Sequence, residues 1–347
     1  MKIRKQRLDT MERCYAASSL TIDGRFYAVF ASEAVGGPCY AYTGNDFGEK
    51  EVIWESAGGT MSLLQIPGTN GEFIAVQHFF PGFKSEGAKL VWGRRDANSG
   101  WVVKDLALLP FIHRFDMFRV EDEIHILAAT LCGNKSDRED WSSPGTVYAG
   151  KLPAAPEHGV RFTPVLGNLY KNHGYCRSVR EGREAGLITC DSGIYALLPP
   201  SEKECEWSSE HLLKAPVGDV AVCDLDGDGN DEFVTIEPFH GDKFLVRKKC
   251  DGEYRIIYNY PGKVEFAHAI TGCVLRGKPS VACGARRGYG ELFILQHENL
   301  GRTPFHTTLI DSGAGPANVA VVNQRDRDII ISANHSAGEA ALYFVTD

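Results

Sequence analysis

Residues Val217–Val246 read VGDVAVCDLDGDGNDEFVTIEPFHGDKFLV. The pattern predicts three short strands: Val220–Cys223, Glu232–Ile236 and Lys243–Val246. Val, Ile and Phe suit a pleated strand, whereas Asp and Gly across Asp224–Asp231 supply the positive-φ chemistry of a tight turn. Between the second and third strands lies a Phe-His-Gly-Asp loop.

The same unit recurs along the chain. Its inner strands are RCYAASSLTI, TMSLLQIP, HRFDMFRV, HGYCRSVR, DVAVCDLD, HAITGCVL and NVAVVNQR. Each is preceded by an outer strand and followed by a turn, a β-rich middle strand and a third strand. Inner strands start at Cys14, Thr60, His113, His173, Asp219, His268 and Asn318, which by subtraction are 46 to 60 residues apart. Four-stranded units at roughly 40–50 residues are the signature of a β-propeller. The expected fold is all-β, a single seven-bladed propeller domain spanning 1–347 of four-stranded antiparallel blades. A pair of β-sandwiches or a β-helix would not explain the even spacing. The chain ends on a third strand, ALYFVTD, and begins with a spare outer strand, KIRKQRLD, so the N-terminal strand is expected to close the ring by completing the last blade.

Composition narrows the function. The chain is 43% hydrophobic and 24% charged, with a net charge of −8, which argues against nucleic acid as a partner. No apolar run is long enough to span a bilayer, so no membrane partner is expected. No apolar segment follows the basic MKIRKQRLDT, and the ten cysteines are scattered without a CxxC pair, so a cytoplasmic setting with reduced thiols is expected. The sequence does not fix an oligomeric state.

In a propeller the outer-to-inner and middle-to-third connections share one face. His113, His173 and His268 fall at inner-strand starts, and His78, His240 and His335 fall just after middle strands. Six of the eleven histidines therefore map to that face. Imidazole titrates near neutral pH and is the commonest metal ligand, so the set is a candidate acid–base or metal site. His113, His173 and His268 are the candidate ligands of a divalent ion (Ca, Mn, Mg or Zn). His78, His173, His240, His335, Tyr175 and Tyr289 are candidate catalytic groups. Arg286, Arg287, Asp219, Asn318 and Trp141 are candidate substrate contacts, Trp141 from the long insertion Leu131–Gly145. Single polar residues in such a channel often only hold water and each other. The other five histidines scatter over strands and the opposite rim.

Asp224, Asp226, Asp228 and Asp231 fit D-x-D-x-D-G-x-x-D, whose alternate carboxylates can converge on a hard cation such as calcium. An Asp/Gly turn without metal explains the same residues. Either way the turn lies opposite the histidine face, so its role would be structural.

VCDLDGDGNDEFV resembles the calcium hairpin of FG-GAP/VCBS-type propeller repeats; the full motif covers one blade, the bare repeat the whole chain. The chain lacks the Trp-Asp pairs of WD40 repeats, regular kelch Gly-Gly pairs and the sialidase box. Blade number and a His/Tyr/Arg face are similar to propeller-fold carbohydrate lyases: ulvan lyases, rhamnose–glucuronate lyases and the aldos-2-ulose dehydratase propeller. That resemblance implies β-elimination on a uronate- or keto-sugar-containing glycan, with His as base, Tyr or His as acid, and Arg or a metal holding the enolate. A glycoside hydrolase would need a carboxylate pair drawn from Asp191, Asp219, Glu237, Glu265 and Glu33. The third reading is a non-catalytic propeller binding carbohydrate or protein.

Overall fold

The computed structural model describes residues 1–201, 204–298 and 304–347. Among them, twenty-eight strands pair into seven four-stranded antiparallel sheets, with three single 3-10 turns between strands. The chain is all-β, and seven such sheets are the blades of a seven-bladed β-propeller. Among the described residues no helix is long and apolar enough to cross a membrane.

The chain divides into two compact units, residues 1–15 with 215–347, and residues 16–214. In the first, the quoted stretch forms Asp219–Cys223, Glu232–Glu237 and Lys243–Cys250, completed by Glu253–Asn259. The third strand runs to Cys250 rather than Val246 because Lys248, Lys249 and Cys250 pair with Arg255, Tyr254 and Glu253 of the outer strand. The next sheet is Glu265–Leu275, Lys278–Arg287, Leu292–His297 and Phe305–Asp311. The last is Asn318–Asn323, Asp328–Asn334 and Glu339–Thr346, with Lys2–Thr10 at its edge.

Middle strands are covered on both faces, which is why they read as unbroken apolar runs: every residue of Asp328–Asn334 and of Glu232–Glu237 is buried. Outer strands face water and carry charge; no residue of Lys2–Thr10 is buried. Neighbouring sheets are joined by apolar layers. Val234, Phe244, Val281 and Phe293 form one, and Leu292, Ile330, Tyr343 and Ile3 contribute to another. Phe293 packs edge-on to Phe244 at 5.4 Å and stacks on Tyr260 at 4.4 Å, so truncation to Ala would cost about 3–5 kcal/mol.

The N-terminal strand completes the last sheet, as the spare outer strand implied. Lys2 pairs with Thr346 and Thr10 with Glu339, with a bulge between Arg7 and Asp9. Lys5 Nζ lies 2.8 Å from both Asp311 and Glu339. The Tyr343 hydroxyl donates to Asp311 Oδ2 at 2.6 Å, so the two ends of the chain and the preceding sheet share one polar knot.

In the second unit, Arg25–Ser32, Phe73–Gln77, Glu123–Thr130 and Arg183–Cys190 are the middle strands of four sheets. Two apolar layers support them, one through Leu20, Val29, Phe73 and Val91, the other through Phe118, Leu127, Ile188 and Leu197. The inner strand expected from Thr60 is only Leu63–Gln65. Gly58 and Gly59, at φ +69° and +61°, hold the preceding residues off the strand path, and a Cβ at Gly59 would fall 2.4 Å from Phe79 N.

Candidate functional site

A backbone device repeats at the inner-strand starts. Arg13, Phe111, Lys171 and Phe266 adopt φ of +48°, +60°, +52° and +60°, a region uncommon for such residues. Two residues after each comes a buried polar ring: Tyr15, His113, His173 and His268. For His113 and His268 the ladder register slips at that residue, between Ile112 and Arg114 and between Ala267 and Ala269. Each of these two histidines is the extra residue of a β-bulge, which re-aims its side chain. Tyr15 occupies the position that histidine fills in the other three. A search restricted to histidine misses it, and counting the repeat from Cys14 puts Tyr15 one residue late; the positive φ of Arg13 is what marks the equivalence.

In the unit of residues 1–15 and 215–347, these positions build one cluster. His268 Nδ1 lies 2.7 Å from Ala317 O; a carbonyl only accepts, so Nδ1 donates. Nε2 is then left to accept the Tyr15 hydroxyl at 3.2 Å. His240, at φ +47°, stacks on His268 at 5.1 Å and on Phe266 at 4.2 Å. Its loop lies tight over Gly218, where a Cβ would sit 2.8 Å from Phe239 Cα. Arg286 Nη2 lies 2.9 and 2.7 Å from the two ring nitrogens of His335, a contact that requires that imidazole to accept. Arg286 and Arg287 lie over the Phe266 ring at 5.3 and 4.6 Å. Arg287 is exposed, and Tyr289 beside it is 65% exposed. Asn318 donates to Tyr15 O at 2.8 Å, whereas Asp219 is buried and accepts from Val220 N at 2.9 Å. The structure thus brings His240, His268, His335, Arg286 and Arg287 together, and adds Tyr15 and Phe266.

In residues 16–214, His113 and His173 lie ring to ring at 4.6 Å, with His113 Nδ1 3.2 Å from His173 O. Phe79 meets His113 edge-on at 4.9 Å. His78, at φ +63°, stacks on Phe80 at 5.6 Å, and burial, then the Lys89 charge, holds its pKa below the ordinary value. The Leu131–Gly145 insertion is organised by a buried lysine. Lys135 Nζ donates to the carbonyls of Arg138 (2.9 Å) and Asp140 (2.5 Å) and lies 3.5 Å from the Trp141 ring centre. Burial lowers the Lys135 pKa, and nothing in the loop's composition announced this role.

Tyr175 is spoken for elsewhere. Its hydroxyl donates to Asp116 Oδ2 at 2.6 Å, and Arg177 Nε and Nη2 reach the same carboxylate at 3.0 and 2.8 Å. Burial, then the Asp116 charge, raises the Tyr175 pKa well above the ordinary value. Placement two residues after His173 put Tyr175 on the expected side of the strand, but the interior carboxylate of the neighbouring sheet captures it. Three hydrolase carboxylates are also tied: Asp191 to Lys171 (2.9 Å), Glu237 to Arg247 (2.8 Å) and Glu265 to Lys263 (2.7 Å). A cavity of about 650 Å³ lined by His125, Lys151, Arg161, Cys205 and Trp207 contains none of the candidate residues.

At the acidic turn, Asp224, Asp226 and Glu232 each place an oxygen within 4.8 Å of the others, a grouping that can hold a metal ion. Its third member is Glu232, and the expected Asp228 and Asp231 are not part of it; Glu232 is the first residue of the middle strand and is fully buried.

Neither a protein-family model nor a curated protein matches this sequence. Solved structures do match in fold. Sqt1 of Saccharomyces cerevisiae aligns with a TM-score of 0.53 at 9% identity, over 94% of this chain and 83% of that one. BBS1N, in a complex with ARL6DN, aligns with a TM-score of 0.58 at 9% identity, over 99% of this chain and 95% of that one. At such identity the likeness is one of fold alone.

Proposed function

We propose that this chain is a non-catalytic binding propeller whose basic, aromatic cluster takes a carboxylate-bearing segment of a partner protein. The observation that carries this reading is the pair of guanidiniums over Phe266, with Arg287 exposed next to Tyr289. Arginine forks match carboxylates, and aromatic faces pre-order them. Proton-transfer candidates are meanwhile held by protein groups: Tyr175 by Asp116, His113 by His173 O, His335 by Arg286. BBS1N, similar in fold, is a propeller crystallised with a protein, ARL6DN; that is support by analogy.

A second reading, β-elimination on a uronate or keto sugar, has the Tyr15–His268 contact in its favour, since a tyrosine donor on an imidazole acceptor is an acid–base pair. One experiment separates the two. A fluorescein-labelled oligoglutamate peptide and polygalacturonate are each titrated with the protein, and ultraviolet absorbance is followed for unsaturated product. Peptide binding lost in Arg286→Ala/Arg287→Ala, with no absorbance gain, supports the binding module. An absorbance rise abolished by Tyr15→Phe supports the lyase.

A further inference from the structure

The acidic turn already holds a cation of its own. Lys248, on Lys243–Cys250, directs Nζ into the turn. It contacts Asp226 Oδ2, lies 2.7 Å from Asp228 Oδ2 and 3.4 Å from Glu232 Oε1. An ammonium has three donors, and here three carboxylates face it. The strand register fixes this arrangement: Phe233 pairs with Arg247, so the next residue along stands beside Glu232 and the turn.

The turn does not need an ion to close. Asp224 accepts the backbone N–H groups of Gly227 (2.9 Å), Asp228 (3.1 Å) and Gly229 (3.0 Å). Gly227 and Gly229, at φ +75° and +86°, take the bends. Glu232 is buried, and one oxygen accepts Leu225 N at 2.9 Å while the other faces Lys248. Calcium requires six to eight oxygens at about 2.3–2.6 Å. The Lys248 ammonium takes two carboxylates of that metal group, Asp226 and Glu232, and adds Asp228, while Asp224 is occupied by backbone N–H groups.

We propose that Lys248 replaces the divalent cation in this turn, so that the hairpin resembles a calcium hairpin in sequence but is held by an internal salt bridge and is indifferent to calcium. The metal set fits only after Lys248 moves aside. Removing the lysine should therefore create the metal dependence that the sequence motif implies.

The test uses the full chain. Thermal melts are recorded in EDTA and in millimolar calcium chloride, and terbium luminescence reports occupancy of the turn. For the unaltered protein the melting temperature stays within about 1 °C between the two conditions, since nothing binds the folded state selectively, and terbium gives no sensitised emission. Lys248→Met melts several degrees lower in EDTA, and calcium restores it. Asp226→Asn/Asp228→Asn in the Lys248 background also melts lower but is not restored. Calcium-dependent melting or terbium emission in the unaltered protein overturns the proposal, as does Lys248→Met remaining as stable as the parent and insensitive to calcium. If Lys248→Met does not fold, the terbium measurement on the unaltered protein still decides.

Discussion

The Tyr175 hydroxyl and Asp116 share a 2.6 Å hydrogen bond that Arg177 closes from the other side of the carboxylate. A tyrosine so held, with its pKa raised, is a poor proton donor at neutral pH and a good structural tie. Tyr175→Phe will destabilise the protein by about 1 kcal/mol in denaturant unfolding and leave peptide binding unchanged. Asp116→Ala will cost about 2 kcal/mol, because it leaves the Tyr175 hydroxyl without its acceptor and removes the Arg177 fork, while Arg177 keeps Glu184. A binding defect in Tyr175→Phe at unchanged stability would return the residue to the site.

The N-terminal strand is stapled by charge as well as by its ladder. Burial works against both members of the Lys5–Asp311 pair, yet their mutual hydrogen bond leaves the Lys5 pKa raised and the Asp311 pKa lowered. The Asp311 contribution is present above the ordinary carboxylate value and fades as pH falls through the lowered one. The Lys5 contribution is present below 10.5 and fades as pH rises through its raised value. Melting temperatures across the pH range will show both losses in the parent. Lys5→Met will be less stable between these limits and will lose the alkaline one.

Phe266 lies beneath two guanidiniums, so Phe266→Leu keeps apolar bulk and removes the π face. Binding of the oligoglutamate peptide should weaken about threefold, corresponding to about 0.5–1 kcal/mol for a partly exposed cation–π contact. Unchanged affinity would mean the arginines are held by something other than the ring.

Lys135 is the keystone of the Leu131–Gly145 loop through two carbonyls and Trp141. Lys135→Ala should open that loop to limited proteolysis while the global melting temperature falls only slightly. Protection equal to the parent would show that the Asp140 contacts with Ser136 and Ser142 suffice.

The architecture was legible because middle strands buried on both faces leave unbroken apolar runs, such as DIIISAN at Asp328–Asn334, and acidic or Gly turns separate them. The spare KIRKQRLD strand foretold the Lys2–Thr10 pairing because the last repeat otherwise lacks an outer strand. The histidines at inner-strand starts were legible as positions but not as contacts. The bulges at His113 and His268 follow two residues after a left-handed residue, a conformation that Phe111 and Phe266 do not advertise. Tyr15 was overlooked because its equivalence to His268 is one of place, not of residue type. Lys248 was hidden for another reason: a third strand delivers it to a turn about twenty residues upstream, which only ladder register can reveal.

Fluorescence anisotropy of the labelled oligoglutamate peptide, read against the parent chain and against Arg286→Glu/Arg287→Glu, tests the binding-module account most directly. The account predicts a saturable, salt-sensitive rise in anisotropy for the parent, at least a tenfold weakening after charge reversal as expected for loss of two arginine–carboxylate contacts, and no unsaturated product when polygalacturonate replaces the peptide. Equal affinity in the reversed variant, or product formation by the parent, would contradict it.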